Sequence, residues 1–145
     1  MSSLVGAIAI ARSQVDAIVA HARAGAPDEV CGVVAVRDGS VVSVIATRNA
    51  AATPRNRFEI DVRDLMRIVE VEREGLDVGF YHSHPVSVAY PSATDIGFAE
   101  LWPGALQLMV SLRHDLPGAI GPEFHAYRIF PPRVDVVAIA IDEGR

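Results

Sequence analysis

Most of the side chains able to do chemistry in this chain lie in fourteen consecutive residues, HSHPVSVAYPSATD, at positions 82–95. Alternate side chains on a strand share a face, so His82 and His84 project together with Cα atoms roughly 6.6 Å apart. Two imidazoles so placed can converge on one zinc ion at about 2.0–2.1 Å each. Asp95 falls on the first turn of a helix that starts at Ser92, where its carboxylate can supply a third ligand once the intervening loop folds back. Three protein ligands leave the fourth position for water, the arrangement of a catalytic zinc site. The same residues carry a plainer reading. Alternating polar residues also mark a solvent-facing strand, and Ser92-x-x-Asp95 is a capping box, in which the hydroxyl accepts a helix N–H and the carboxylate reaches back. The two readings are compatible, because a helix N-terminus can fix a ligating Asp and a catalytic Ser together.

The elements that must hold these residues follow from hydrophobic period and turn chemistry. Residues 5–11 read as a strand, followed by a helix in which Ser13 and Asp16 form a capping box and Val15, Ile18, Val19 and Ala22 repeat at helical spacing. Gly25, Ala26 and Pro27 stop it. Residues 30–36 and 41–45 are β-branched runs joined through Asp38-Gly39, a hairpin signature. Residues 48–57, polar and carrying Pro54, are the most loop-like stretch. Residues 58–60 read as a short strand, and Asp61 with Asp64 caps a helix through Leu65, Met66 and Val69 that ends at Gly75. Residues 78–84 form the strand that carries both histidines, and Pro85, which has no N–H to give a ladder, ends it. The helix from Ser92 runs to Pro103-Gly104. Residues 106–112, 124–130 and 134–141 are three more strands, with a Pro/Gly-rich loop between the first two. With no repeat and no linker, residues 1–145 are expected to form a single α/β domain. Its expected architecture is a three-layer sandwich with a central mixed β-sheet flanked by helices.

Composition excludes several functions. All 13 basic residues are Arg, so there is no Schiff-base lysine, no Walker-loop lysine and no lysine general base. The formal charge is −5 and the arginines are scattered, which leaves no cationic surface for nucleic acid. Half the residues are hydrophobic, enough to fill an interior. The single cysteine, Cys31, excludes an intrachain disulfide and a multi-Cys metal site, and reads as a small buried hydrophobe in a reducing compartment. The apolar run at residues 4–11 has no basic residue before it and is too short to span a bilayer, so a cytoplasmic protein with no membrane association is expected. His21, His114 and His125 have no partners at recognisable spacing and read as surface or capping residues. Trp102, with Ile96 and Ala99, fits the buried face of the third helix.

Taken together, H-x-H, seven residues, then S-x-x-D, on a strand, loop and helix, resembles the zinc-binding motif of the JAMM/MPN+ metalloprotease family. That family also uses a glutamate on an earlier strand, and Glu29 stands at the head of the apolar run EVCGVVAV. Its neighbour Asp28 is the competing carboxylate, on the opposite face if the strand has begun. The resemblance implies an MPN/JAB domain with a cytidine-deaminase-like sheet. It implies zinc on His82, His84 and Asp95, Glu29 as the base that activates the zinc-bound water and then as acid, and Ser92 as a donor to the oxyanion.

Within the family, HARAGAPDEVCGVV and FYHSHPVSVAYPSATD look most like the small bacterial branch that acts on sulfur-carrier proteins. Those partners are ubiquitin-like, end in Gly-Gly and receive cysteine at that end. The resemblance therefore implies hydrolysis of the amide bond after Gly-Gly, releasing cysteine. The loops at residues 85–91 and 48–57 are the expected walls of a slot for the tail, with Arg55 and Arg57 available to an acidic carrier. Two other readings stand beside it: an isopeptidase that removes ubiquitin-like modifiers from lysines, and a non-catalytic scaffold.

Overall fold

The computed structural model describes residues 4–116 and 121–144. Among these, strands β1 (Leu4–Ala11), β2 (Cys31–Arg37), β3 (Ser40–Thr47), β4 (Asp77–His84), β5 (Leu106–Ser111), β6 (Glu123–Phe130) and β7 (Arg133–Asp142) are interleaved with helices α1 (Arg12–Gly25), α2 (Leu65–Arg73) and α3 (Ala93–Ala99). The sheet is mixed. β2 runs antiparallel to both β3 and β4, β5 lies parallel to β4, and β6 and β7 continue antiparallel.

The expected α/β layering is present, with one addition: the sheet closes on itself in the order β1-β3-β2-β4-β5-β6-β7. β1 lies parallel to β7 along most of its length and meets β3 through the pair Ala9↔Ser40. Twist accumulates in one hand from strand to strand, so the two edges of this sheet curl towards each other and β1 bridges them.

β2 and β4 lie in the middle and are buried on both faces, which is why their sequences are apolar runs with little alternation. On one face Val34, Val36 and Tyr81 pack with Val15, Ile18, Val19 and Ala22 of α1. On the other, Cys31, Val33, Ala35 and Phe80 pack with Ile68 and Val71 of α2. Period 2 then carries His82 and His84 to the face of Phe80, beneath α2 and α3. The β2–β3 turn is Asp38-Gly39 with both residues left-handed, φ 50° and 78°, the conformation a two-residue hairpin needs.

Local expectations differ in four places. α1 starts at Arg12, so its first turn is closed by Gln14, whose Oε1 accepts the Ala11 N–H at 2.9 Å, and not by Ser13 and Asp16. β1 runs directly into the helix, which puts the cap at its last residue. A 3-10 turn, Val62–Asp64, precedes α2 and rotates its buried face to Ile68 and Val71, leaving Leu65 and Met66 exposed. Residues 58–60 make a single bridge, Asn49↔Ile60, and no strand. α3 ends at Ala99 and the chain reaches Gly104 through turns, so Trp102 packs edge-on against Phe80 from outside the helix, at 5.1 Å. The Pro/Gly-rich stretch between β5 and β6 falls partly on residues 117–120, outside the described residues.

Candidate metal centre

The end of β4 and the first turn of α3 bring three ligand atoms together. His82 Nε2 lies 3.1 Å from His84 Nε2, and Asp95 Oδ2 lies 3.1 Å from the first and 3.0 Å from the second. All three residues are buried. The His84 ring is oriented from behind: Nδ1 donates to the Val88 carbonyl at 2.7 Å, which turns Nε2 towards Asp95 and His82. Asp95 is oriented by the cap. Ser92 N–H donates to Asp95 Oδ2 at 2.9 Å, and Asp95 N–H donates to Ser92 Oγ at 3.2 Å. The capping box is thus present, and its geometry leaves Asp95 Oδ2 turned towards both histidines.

Such a set fits a divalent cation. In a tetrahedron with bonds of 2.0–2.1 Å, ligand atoms stand about 3.3–3.4 Å apart, close to the spacing seen here. Imidazole nitrogen with a carboxylate is also a donor set that suits zinc.

Glu29 lies beside this cluster, just ahead of β2. The pairing Cys31↔His82 continues with a Ser83 N–H bond to Val30 O at 3.0 Å, so the register carries Glu29 opposite His84. Two residues before Cys31, it shares the face of both histidines. The side chain is buried, and its Oε1 has no hydrogen-bond partner among the described residues. An acceptor buried in this way marks a place where a donor belongs. Burial pushes the Glu29 carboxyl up to about 7, with His84 pulling it down and Asp95 adding to the rise. A carboxyl group with that value can both take up and give back a proton at neutral pH. Asp28, the alternative carboxylate, is only half-buried.

Side chains that sequence reasoning did not anticipate shape the surroundings. Phe58 stacks on the His82 ring at 4.5 Å between centroids, and Phe98 lies beside it at 4.9 Å. They form one side of a groove of about 630 Å³ that also touches Ala51, Thr94 and Trp102. Nothing local in the sequence marks Phe58 for this position. His21, expected to be unpartnered, has its Nδ1 2.6 Å from the Tyr81 hydroxyl on the opposite face of β4, and burial lowers its pKa. Tyr81 needs room there: a Cβ at Gly32 would lie 1.9 Å from its ring. Cys31 is buried beside Thr47 Oγ1 at 3.3 Å, and burial pushes its thiol up to about 11, so it is an inert core residue. Arg55 and Arg57 are exposed on the loop.

The cluster has a pH signature. Burial opposes a charged His84, but hydrogen bonds to Asp95 and Val88 raise its pKa above the ordinary value. Burial likewise opposes the Asp95 carboxylate, but His82, His84 and Ser92 hold its pKa well below the usual range. A raised histidine stabilises the fold fully below its unfolded pKa of about 6.5 and loses that contribution as pH rises through the folded value. A depressed aspartate stabilises it above about 3.9 and loses that contribution in acid. The metal-free protein is therefore expected to melt highest between about pH 4 and 6.5 and to weaken towards pH 8. The metal-loaded protein is expected to gain over the same upper interval, because protons stop competing for the imidazoles. Melting curves with and without chelator check this, and identical pH trends would contradict it.

Residues 11–124 match the family described as prokaryotic homologs of the JAB domain. The chain is 44% identical over 113 residues to a desampylase of Haloferax volcanii, an alignment covering 72% of this chain and 80% of the relative. It is 37% identical over 103 residues to a CysO-cysteine peptidase of Mycobacterium tuberculosis, covering 68% and 69% respectively. The solution structure of a Desulfitobacterium hafniense protein superposes with a TM-score of 0.78 at 32% identity, covering 94% of this chain and 93% of that one.

Proposed function

The chain belongs to the family of prokaryotic JAB-domain homologues, and from that membership we propose that it is a zinc hydrolase of conjugates formed at the C-terminus of ubiquitin-like proteins. Its substrate in this reading is a sulfur carrier whose terminal Gly-Gly is joined to cysteine, and its product is free cysteine. The observation that carries the reading is the buried, unpartnered Oε1 of Glu29 on the same face as three convergent ligand atoms.

His82, His84 and Asp95 would hold the ion. The chemistry a zinc ion would supply there is a water of pKa about 7 and a polarised carbonyl. Glu29 takes the proton of the attacking water and returns it to the leaving amine of cysteine. Ser92 Oγ already accepts the Asp95 N–H, and its own proton is free to be donated to the developing oxyanion. A preorganised donor of this kind contributes roughly 3 kcal/mol to the transition state. Phe58 covers the His82 ring and keeps bulk water from that side. The groove lined by residues 51, 52 and 57–60 offers a channel for a tail without side chains, and Arg57 in its lining, with Arg55 exposed on the same loop, suits an acidic carrier.

Support for the carrier comes from the relative named CysO-cysteine peptidase. A second reading, removal of a ubiquitin-like modifier from lysine side chains, is favoured by the higher identity to the desampylase. Two substrates separate them: a carrier ending Gly-Gly-Cys, and the same carrier joined through Gly-Gly to a lysine side chain. Faster release of cysteine is expected, and faster cleavage of the lysine conjugate would move the assignment to the second reading. No helix among the described residues is long and apolar enough to cross a membrane. We place the enzyme in the cytoplasm with its carrier.

A further inference from the structure

Asn49 stands just after β3 and uses its entire hydrogen-bonding capacity at one junction. Its Nδ2 donates to Glu29 O at 2.9 Å and to Arg57 O at 3.1 Å, and its Oδ1 accepts the N–H groups of Ala51 and Glu59, both at 3.0 Å. The partners also fix which way the amide points, since two carbonyls face the nitrogen and two N–H groups face the oxygen. Around the same peptide, Glu29 N–H donates to Pro54 O at 2.7 Å, and Val30 N–H donates to Ser83 Oγ at 2.8 Å. Glu29 is thus clamped by the 51–59 loop on one side and by β4, between the two histidines, on the other.

We propose that Asn49 is a positioning residue that holds the Glu29 backbone and the 51–59 wall of the groove as one unit. The inference rests on the reading of Glu29 as the general base. The wall against which a substrate tail would lie and the main chain of Glu29 are thus fixed by the same side-chain amide. None of the three candidate metal ligands is bonded to Asn49, so its removal leaves metal binding intact while loosening base and wall.

Two variants separate those links. Asn49→Asp keeps the oxygen that accepts from Ala51 and Glu59, but turns an oxygen towards the Glu29 and Arg57 carbonyls. Asn49→Ala removes all four bonds. With a ubiquitin-like protein ending Gly-Gly-Cys as probe, Asn49→Asp is expected to bind one zinc per chain and keep a KM near wild type. Its kcat is expected to fall roughly tenfold to a hundredfold, the effect of a misplaced catalytic group. Asn49→Ala is expected to lose kcat similarly, to raise KM as well, and to show faster hydrogen exchange at the Ala51 and Glu59 amides. Wild-type kcat in Asn49→Asp overturns the proposal, as does activity in both variants that returns on cooling in step with thermal stability. Glu29→Gln is measured beside them. If it hydrolyses at the wild-type rate, the base assignment falls and this inference with it. If it is inactive while Asn49→Asp is fully active, this inference alone falls.

Discussion

Glu29→Gln is expected to load one zinc per chain and to hydrolyse its substrate about 10²–10⁴-fold more slowly than the parent, the usual contribution of a positioned general base. The substitution is isosteric and leaves the backbone clamp of Pro54, Asn49 and Ser83 untouched, together with the three ligand atoms. What it removes is the oxygen that accepts a proton. Stability should move the opposite way. The Glu29 carboxyl is pushed up to about 7 by burial, so the folded protein binds this proton more tightly than the unfolded chain does. Its contribution is therefore lost as pH rises from about 4.3 through 7, and above that the buried charge is a liability. Metal-free Glu29→Gln should accordingly melt no lower than metal-free wild type at pH 8. Metal content by mass spectrometry, turnover and paired melting curves check all three statements. A variant that turns over normally would remove Glu29 from its role, and one that no longer binds zinc would make it a ligand.

His84→Ala is expected to abolish both metal loading and turnover. One of the three candidate ligands goes, a larger change than losing a hydrogen bond that merely orients a ligand, which already weakens metal affinity roughly 10–100-fold. The variant also harms the metal-free fold. Asp95 is 4% exposed, and His84 is one of the few groups that satisfy its carboxylate. Removing one partner of a buried pair typically costs about 3–5 kcal/mol, because the other charge stays buried. Ser92 N–H and His82 remain beside Asp95 and should hold the loss towards the lower end of that range. His82→Ala should likewise lose zinc, with the further loss of the Phe58 stacking contact. Retention of one zinc per chain in either variant would remove that residue from the ligand set.

The parts of the site that could be read before the fold was known are those governed by local periodicity. His82 and His84 share a face because a strand has period 2. Asp95 sits one turn into a helix because Ser92 caps it. The strand ends at His84 because Pro85 cannot continue a ladder. Glu29 is a different case. It is far from the histidines in sequence, and only the family resemblance singled it out from Asp28. The structure supplies the physical reason, since β2 pairs antiparallel to β4 in a register that carries Glu29 opposite His84. Two of the misread elements, the starts of α1 and α2, share a cause. A 3-10 turn before α2 and a strand running straight into α1 shift a helix by a fraction of a turn, enough to change which residues cap it or face the core.

By itself, the sequence determined the chemistry available: two imidazoles, a hydroxyl and a carboxylate at fixed spacing, no lysine amine, and strands apolar enough to be buried on both faces. Only the tertiary structure decided the Val88 carbonyl that orients His84, the Phe58 ring over His82, the Tyr81 hydroxyl beside His21, and the Asn49 amide that joins the Glu29 carbonyl to that of Arg57. Each of those contacts links segments that follow different local rules. Their meeting is set by how the sheet twists and closes, which no residue spacing records.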